Sequence, residues 1–178
     1  MKLQVNQQAP VFKTPDVYGR EISLQALRGK KVYLAFERNA GCPVCNLRIH
    51  ELLKQADYFS AHHVTVLLIY ESTVEKMRDY LADLQYPFHF IADPENALYQ
   101  QYQIERSFLK MFKGLFHGLM GKVMAGKKLF RKAITQDGNV STIPGEFIID
   151  EKGNLSTVHY GRYVGDHLAL DLLKEKLK

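Results

Sequence analysis

Three apolar segments of strand length alternate with residues at helical spacing in the first half of the chain. The apolar segments cover residues 31–36, 64–70 and 88–92. Near-continuous apolar runs this short are typical of strands that are buried on both faces of a sheet. After the first run, helical spacing is seen in Cys45, Ile49, Leu52, Leu53, Ala56 and Phe59. The pattern therefore predicts buried strands joined by amphipathic helices, the first of which begins near Pro43.

The next two helices carry start signals of their own. Ser72 and Glu75 match a capping box, in which both side chains satisfy free backbone N–H groups at the start of a helix. The apolar face of that helix consists of Val74, Met77, Leu81 and Leu84. Asp93 followed by Pro94 predicts the start of the next helix, because Asp is a good N-cap and Pro suits the first turn.

Segments near both ends of the chain predict hairpins. Pro and Gly punctuate residues 9–24, which form two short extended segments. Residues 146–150 and 155–160 flank an Asp-Glu-Lys-Gly turn and precede a final helix. The predicted order is hairpin, β, α, β, α, β, α, insert, β, β, α. Alternating β and α units imply a parallel sheet flanked by helices, to which the late hairpin adds antiparallel strands.

Length and composition fit one globular domain. The chain has 178 residues, of which 46% are hydrophobic and 24% are charged, and this excludes disorder or a fibrous structure as the main state. A chain of this length buries enough surface to fold without a disulfide framework. We therefore predict a single α/β domain over residues 1–178, with a mixed sheet and a basic helical insert at about residues 106–135.

The net charge of +5 is concentrated in that insert. Residues 106–132 hold eight Lys and Arg and no Asp or Glu, which leaves 16 basic and 19 acidic residues elsewhere. A nucleic-acid-binding fold usually spreads its basic residues over a whole face, so we expect no nucleic-acid partner. Within the insert, Phe108, Phe112, Leu115, Leu119 and Val123 follow helical spacing, and they are largely opposed by Lys110, Lys113, His117 and Lys122.

Three interpretations of the insert are open. The favoured one is a helix that packs on the core and keeps a solvated basic edge. The others are a mobile cover over the active site and a surface that binds a membrane or an acidic partner. The insert does not decide the function.

The cysteine count bears on the compartment and on the chemistry. No apolar run reaches the roughly 18 residues of a membrane span, and the first eight residues lack the apolar core of a secretory signal, so we expect a cytoplasmic protein. The chain has two cysteines, Cys42 and Cys45. In a reducing compartment such a pair indicates redox or metal chemistry before a structural bridge.

The cysteine pair lies where a buried strand gives way to a helix. Backbone N–H groups at a helix N-terminus favour a thiolate, so we expect Cys42 to be the exposed nucleophile. Cys45, one turn further on, is expected to be more buried, less acidic and the resolving thiol. Arg38 favours the Cys42 thiolate further. Pro43, between the cysteines, suits the first turn of the helix.

Two other interpretations of the pair are weaker. Both cysteines could be small core residues, since free Cys is commonly buried. A zinc site would need two more ligands, and His50, His62 and His63 lack the spacing that a zinc finger requires.

Two further residues are candidates for the site. Pro144 precedes the strand at 146–150, and in the cis form it would bring its loop over Cys42 and leave backbone groups free to pair with a substrate segment. The alternative is an ordinary proline at a strand start. Glu37 leaves the first buried strand and is either an acceptor of the Cys45 proton through water or a surface carboxylate. We expect His89, His159 and His167 to be partly buried or surface residues.

The chain resembles the thioredoxin-fold proteins of the alkyl hydroperoxide reductase and thiol-specific antioxidant family, and within it the peroxiredoxin-like branch. Residues 9–12 and 29–36 resemble the opening of the family, 38–45 its cysteine motif, 90–94 and 147–153 its later strands, and 160–167 its tail. The resemblance implies thiol-dependent reduction of peroxides or disulfides with no bound cofactor beyond the cysteines. A thioredoxin-like or glutathione-type reductant would then recycle the protein, as a monomer or a homodimer.

The chain departs from the family at three positions. Ala35 and Asn39 stand where the family has Pro and a Thr or Ser, and Gly145-Glu146 stands where it has an Arg. The missing hydroxyl and Arg normally hold the peroxide, so Arg38 or Arg162 would have to replace them. The alternative function is a non-catalytic thioredoxin-like binding or redox-sensing module that uses the basic segment at 106–132.

Overall fold

A computed structural model describes residues 1–81, 86–130 and 135–178. The N-terminal segment forms the predicted antiparallel hairpin from β1 (Lys13–Pro15) and β2 (Glu21–Ser23). A short 3-10 helix follows at Gln25–Leu27. The hairpin and this turn lead into the central sheet.

The three apolar runs form the parallel part of a five-stranded sheet. They give β3 (Val32–Phe36), β4 (Thr65–Tyr70) and β5 (His89–Ala92), and each of these strands runs parallel to the next. The late hairpin supplies β6 (Gly145–Ile149) and β7 (Leu155–Tyr160), and β6 pairs antiparallel with β3. The spatial order β5-β4-β3-β6-β7 is the predicted mixed sheet, with the first strand at its centre.

Helices cover both faces of the sheet. They are α1 (Pro43–Leu53), α2 (Ala56–Ala61), α3 (Val74–Leu81), α4 (Ala97–Gln101) and α7 (Leu170–Leu177). Apolar residues of α1, α3 and α7 share one core with the cysteines, and α4 packs on the opposite face with the hairpin. The single helix predicted after the cysteines is divided into α1 and α2. Leu84, which was assigned to the apolar face of α3, lies outside the described residues.

The capping box predicted at the start of α3 is wrong. Helix α3 begins at Val74, and the hydroxyl of Thr73 accepts a hydrogen bond from the backbone N–H of Lys76 at 3.4 Å. Ser72 instead accepts a bond from the backbone N–H of Ala40 at 2.8 Å and donates to Asp137 at 2.6 Å. Ser72 therefore ties the loop before the cysteines to the end of β4.

The insert consists of α5 (Phe108–Leu115) and α6 (Leu119–Lys127), while its residues 131–134 lie outside the described part of the chain. Helix α6 packs closely on α1: a Cβ atom added to Gly126 would lie 1.8 Å from the carbonyl oxygen of Pro43. Asn46 donates a hydrogen bond to the carbonyl of Gly126 at 3.1 Å. Only a residue without a side chain allows this approach of the two helices.

Helix α5 does not pack as the sequence pattern indicates. Phe108, Phe112 and Leu115, which were expected to face the core, are all exposed. The buried residue of α5 is Gly114, where an added Cβ would lie 3.2 Å from the carbonyl oxygen of Val164. Because α5 faces the body of the domain with a glycine, its apolar side is left in solvent. The interpretation of α5 as a core-packing helix is therefore wrong.

One buried carboxylate closes the base of the insert. Glu71, just after β4, accepts hydrogen bonds from the hydroxyl of Thr142 and the backbone N–H of Asn139, both at 2.6 Å. Arg106, at the start of the insert, lies 3.3 Å from the same carboxylate. The two flanks are also joined by the backbone bond from Ser107 to the carbonyl of Ser141 at 2.9 Å. The insert therefore leaves and rejoins the domain at a single point.

Candidate active site

The sulfur of Cys42 lies at the N-terminus of α1. Cys42 is the N-cap residue, and its sulfur accepts a hydrogen bond from the backbone N–H of Cys45 at 3.2 Å. The Arg38 guanidinium donates a second bond to this sulfur at 2.9 Å. Burial favours the neutral thiol, but the hydrogen bond from Cys45 and the Arg38 charge outweigh it and lower the pKa of Cys42 to about 6.

The pKa of Cys45 moves in the opposite direction. Burial raises the pKa of this thiol well above its ordinary value, and the bond with Cys42 and the charge of the Cys42 thiolate raise it further. The backbone N–H of Arg38 points to the Cys45 sulfur at 3.4 Å. The site thus pairs an acidic thiol with a weakly acidic one, in the order that the sequence predicts.

The accessibility of the two cysteines differs from the prediction. Cys42 is 0% exposed and Cys45 is 3% exposed, so the first is not an open nucleophile and the second is not the more buried. Arg38 contributes to the cover, because its guanidinium reaches from the Cys42 sulfur to the carbonyl oxygen of Val140 at 2.7 Å. Helix α6, packed against Pro43, closes another side. Arg38 and the insert thus cover the site together, which the favoured interpretation of the insert as a core-packing helix did not predict.

A groove of about 400 Å³ reaches this covered site from the outside. One end of it is formed by Arg38 and Pro43, which flank Cys42, and its other walls come largely from the two helices of the insert. Its remaining lining residues are Met111, Phe112, Leu115, Leu119, Val123, Lys127, Gln136, Val140 and Val164. The groove is mainly apolar, with positive charge at Arg38 and Lys127. Cys42 itself does not line the groove, but Arg38, which contacts the Cys42 sulfur, does.

Pro144 lies beside the cysteines, but not in the form predicted. It lines a small cavity together with Cys45 and Glu37. The described chain has no cis peptide bond, so Ile143–Pro144 is trans. The carbonyl of Pro144 accepts from the backbone N–H of Gly161 at 2.9 Å, and the N–H of Ile143 donates to Glu105 at 3.0 Å. The backbone groups expected to receive a substrate segment are therefore already paired within the domain.

Glu37 is buried, and its interpretation as a surface carboxylate is wrong. Both carboxylate oxygens are shielded from solvent and have no hydrogen-bond partner among the described residues. Burial raises the pKa of this carboxyl to about 7, although the charge of His167, with Nδ1 at 3.8 Å, opposes the shift. Because Glu37 shares the small cavity with Cys45, it is placed to exchange a proton with that thiol near neutral pH.

A buried polar cluster behind Glu37 was missed in the sequence. Glu146 of β6 accepts hydrogen bonds from Tyr33 at 2.7 Å, from Arg48 at 2.8 Å and from His167 at 3.1 Å. Burial would raise the pKa of Glu146, but the charge of Arg48 and the bond from His167 hold it well below its usual range. The available signals were a Glu within an apolar strand and an Arg on the face of α1 that carries Cys45.

The same cluster contains three side chains that could hold a metal ion. Donor atoms of Glu37, Glu146 and His167 lie within 4.8 Å of one another. The Arg48 guanidinium, however, already donates two bonds to one oxygen of Glu146, at 2.8 and 3.1 Å. A second cation would be repelled by Arg48, so the donor set fits an ion-pair cluster better than a metal site.

The remaining candidate residues differ in whether they lie near the cysteines. Asn39, at the family's hydroxyl position, is fully buried, and its amide atoms have no partner among the described residues. Arg162 instead bonds Asp166 at 3.0 Å with a mostly exposed side chain, so its assignment as a replacement for the family's Arg is wrong. Arg38, by contrast, contacts the Cys42 sulfur directly. His89 pairs with Asp16 at 3.1 Å and His159 bonds the carbonyl of Asp166 at 2.8 Å, away from the cysteines.

Comparison with known proteins agrees with this geometry. The family model described as the AhpC/TSA family matches residues 5–158. The chain is 30% identical over 118 residues to a bcp relative from Coxiella burnetii, covering 65% of this chain and 78% of the relative. It is 25% identical over 141 residues to peroxiredoxin Bcp of Escherichia coli, covering 78% of this chain and 83% of that protein.

Solved structures agree with the fold. Peroxidoxin BcpB from Mycobacterium tuberculosis superposes with a TM-score of 0.68 at 16% identity, covering 98% of this chain and 94% of that chain. The thioredoxin domain of a thiol-disulfide oxidoreductase from Bacteroides vulgatus gives a TM-score of 0.57 at 16% identity, covering 99% and 96%. Among the described residues, no helix is both long enough and apolar enough to cross a membrane. The chain belongs to the AhpC/TSA family and is a thioredoxin-fold, peroxiredoxin-like oxidoreductase.

Proposed function

We propose that the chain reduces peroxides or disulfides with Cys42 as the attacking thiolate and Cys45 as the resolving thiol. The observation that carries this proposal is the pair of donors on the Cys42 sulfur, Arg38 at 2.9 Å and the Cys45 N–H at 3.2 Å. Two donors and a positive charge stabilise a thiolate, and the pKa of about 6 makes Cys42 largely ionised at neutral pH. The Cys45 thiol stays protonated at the same pH.

With a peroxide, the first step forms a sulfur–oxygen bond. The Cys42 thiolate attacks one peroxide oxygen, the O–O bond breaks, and the leaving oxygen takes a proton to become an alcohol or water. Cys42 is thereby oxidised to a sulfenic acid. The Cys45 sulfur then attacks the Cys42 sulfur, an S–S bond forms, and the sulfenic oxygen leaves as water. Arg38 stabilises the negative charge that develops on the peroxide oxygens during the first step.

With a disulfide, the same two cysteines act by exchange. The Cys42 thiolate attacks one sulfur of the substrate, and the other sulfur leaves as a thiolate that takes up a proton. Cys45 then attacks the Cys42 sulfur of the mixed disulfide, which releases the second substrate thiol. Both routes end in a Cys42–Cys45 disulfide, and two electrons from an external thioredoxin-like or glutathione-type thiol restore the dithiol.

Glu37 supplies the proton acceptor for the second step. Cys45 must lose its proton to attack, yet its pKa is raised well above the ordinary value. Glu37 shares the small cavity with Cys45, and its carboxyl titrates at about pH 7. A buried base whose pKa lies near the working pH is suited to this transfer, directly or through one water.

A reducing compartment such as the cytoplasm is the proposed location, because thiol reductants are abundant there.

The test is a single-turnover reaction followed by intact-mass measurement. Peroxide should remove two hydrogens from the wild type through a Cys42–Cys45 disulfide, whereas Cys45→Ser should accumulate a sulfenic acid on Cys42. Cys42→Ser should not react. Rapid mixing with hydrogen peroxide and with a model disulfide then ranks the two substrate classes by rate. Free alkylation of both thiols after oxidant, or turnover by Cys42→Ser, would contradict the proposal.

A second candidate function is a non-catalytic binding or redox-sensing module. It is favoured by the exposed apolar face of α5 within the basic segment at 106–132, of which Arg131 and Lys132 lie outside the described residues. The two candidates differ in what the cysteines do. If the double variant Cys42→Ser/Cys45→Ser keeps the protein's cellular function, the binding module is established. If the double variant loses that function and the wild type shows turnover, the binding module is excluded.

A further inference from the structure

The two helices of the insert expose a group of large apolar side chains to solvent. On α5 and its C-terminal cap, five side chains at the spacing i, i+1, i+4, i+7 and i+8 lie on one helix face. They are Phe108, Leu109, Phe112, Leu115 and Phe116, and Met120 and Met124 of α6 are also exposed. Leu109 is 82% exposed and Phe116 is 90% exposed, so these side chains protrude instead of lining a cleft. We call these seven residues the insert face. A group of seven large apolar side chains exposed together marks a binding surface.

Positive charge accompanies the insert face. Lys113, Lys127 and Lys128 are exposed, and none of them forms an ion pair with another residue in the described ranges. Other basic side chains of the insert have partners within the domain, since Arg106 meets Glu71 and Lys110 meets Glu105. Residues 106–132 contain no acidic residue, so nothing within the segment itself neutralises the free lysines.

The exposed apolar side chains and the unpaired lysines together indicate which kind of partner fits the insert face. A second copy of the chain would bring the same unpaired lysines against themselves, and like charges in an interface are costly. Protruding aromatic and aliphatic side chains with flanking lysines are instead the features of helices that lie in a membrane interface, with apolar groups at the acyl boundary and lysines at anionic headgroups. Helices of eight and nine residues are too short to span a bilayer, so they would lie on its surface.

We propose that the insert face docks the protein on the surface of anionic lipid membranes. The groove that ends at Arg38 and Pro43 is lined by Phe112 and Leu115, which also belong to the insert face. Docking through this face therefore brings the groove, whose lining includes Arg38 beside Cys42, next to the lipid. The proposal does not depend on turnover, because it concerns binding alone.

The test is flotation of the full chain with two kinds of vesicle, pure phosphatidylcholine and phosphatidylcholine mixed with phosphatidylglycerol. We expect at least about tenfold more protein on the anionic vesicles at low salt, and most of it should be released at high salt. The variant Leu109→Asp/Phe116→Asp should lose this binding. Neither side chain lines the groove, so its reaction with a water-soluble oxidant should equal that of the wild type.

Two further variants separate the apolar and the charged contributions. Leu172→Asp changes an exposed leucine on α7, outside the insert, and should bind as the wild type does. Lys113→Glu/Lys128→Glu should weaken binding to anionic vesicles while the apolar face stays intact. Circular dichroism and thermal unfolding should match the wild type for all three variants, because every altered side chain is exposed.

The opposite results would overturn the proposal. They are equal binding to both kinds of vesicle, no binding to either, or unchanged binding by Leu109→Asp/Phe116→Asp. A wild-type dimer that Leu109→Asp/Phe116→Asp converts to a monomer, with no vesicle binding, would assign the insert face to self-association instead. The Cys42→Ser protein should bind vesicles normally, so failure of this proposal and failure of the proposed chemistry give different results.

Discussion

The Arg38 guanidinium lies 2.9 Å from the sulfur of Cys42, four residues along the same loop. The resemblance to the family implies an Arg that holds the peroxide just before the strand that here begins at Gly145. In this chain that strand carries Glu146 instead, and the positive charge beside the Cys42 sulfur comes from the loop before α1. The following predictions depend on this arrangement.

Replacing Arg38 should raise the pKa of Cys42. In the wild type, where Cys45 stays protonated, the Cys42 thiolate should titrate at about pH 6, and Arg38→Met should move the midpoint to about 8.5 or above, because burial then acts with less opposition. The thiolate fraction at pH 7, and with it the rate of attack, should fall by about tenfold or more. Ultraviolet thiolate absorbance against pH measures the shift. Arg162→Gln is the matched control and should leave the midpoint unchanged.

Replacing Glu37 should change how stability depends on pH. The carboxyl has a pKa of about 7 in the folded protein and about 4.3 in the unfolded chain, so its protonated form is favoured by folding. This contribution is fully present below pH ~4.3 and is lost as the pH rises through 7. Relative to the wild type, the unfolding free energy of Glu37→Gln should therefore rise by about 3–4 kcal/mol between pH ~4 and ~8, as measured by urea unfolding.

A control and a kinetic measurement accompany this prediction. The exposed Glu95→Gln should follow the wild type at every pH. In single-turnover mixing, Glu37→Gln should form the sulfenic acid at the wild-type rate and the Cys42–Cys45 disulfide more slowly. A parallel pH dependence of stability for Glu37→Gln and wild type would show that the carboxyl is not held in its protonated form.

The buried pair of Arg48 and Glu146 should be costly to break from one side. Both side chains are almost fully buried, so Glu146→Gln leaves the Arg48 charge with only the half-exposed Glu51 at 3.8 Å as counterion and should cost about 3–5 kcal/mol of unfolding free energy. Arg48→Met should cost a similar amount. The double variant Arg48→Met/Glu146→Gln should cost clearly less than the sum of the two. Urea unfolding of the four proteins gives the coupling, and strict additivity would count against the pair.

Two glycines of α6 should respond to alanine in opposite directions. Gly126→Ala places a methyl group against the Pro43 carbonyl and should destabilise the protein by about 1–3 kcal/mol or more. Gly121 has open space around it, so Gly121→Ala should stabilise the helix by about 0.5–1 kcal/mol. Thermal unfolding compares them. Gly126→Ala should also speed alkylation of Cys42, because α6 can no longer close against α1.

The sequence was sufficient for the sheet and for the position of the cysteines. Strands β3 and β4 are short apolar runs, which are typical of buried strands. Pro43 favours the first turn of a helix, so Cys42 just before it is expected at the N-cap. The pKa order of the two thiols follows from the same local geometry. These features depend on residues that are close in the chain.

Features set by distant contacts were not predictable in this way. Glu146 and Arg48 are 98 residues apart in the chain, and although each lies among apolar positions, neither identifies the other as its partner. The apolar residues of α5 have the spacing of a core helix. Spacing alone, however, does not show whether that face packs on the domain or lies in solvent. The close packing of α6 on α1 depends on Gly126, whose role is visible only once α6 lies on α1.

The contacts of Glu71 at the base of the insert have a consequence for how this protein can evolve. Arg106 on one side and Asn139 and Thr142 on the other meet the same carboxylate, so the chain between them is a loop closed at its base. Lengthening a loop that is already closed costs only about 0.6 kcal/mol for each doubling of its length. Apart from its contacts with the domain, such as those at Gly114, Lys122 and Gly126, the insert is free to gain, lose or exchange residues while the thiol chemistry beneath it stays the same. Natural variation should therefore accumulate between these anchor points, and it would alter where the enzyme works before it alters what the enzyme does.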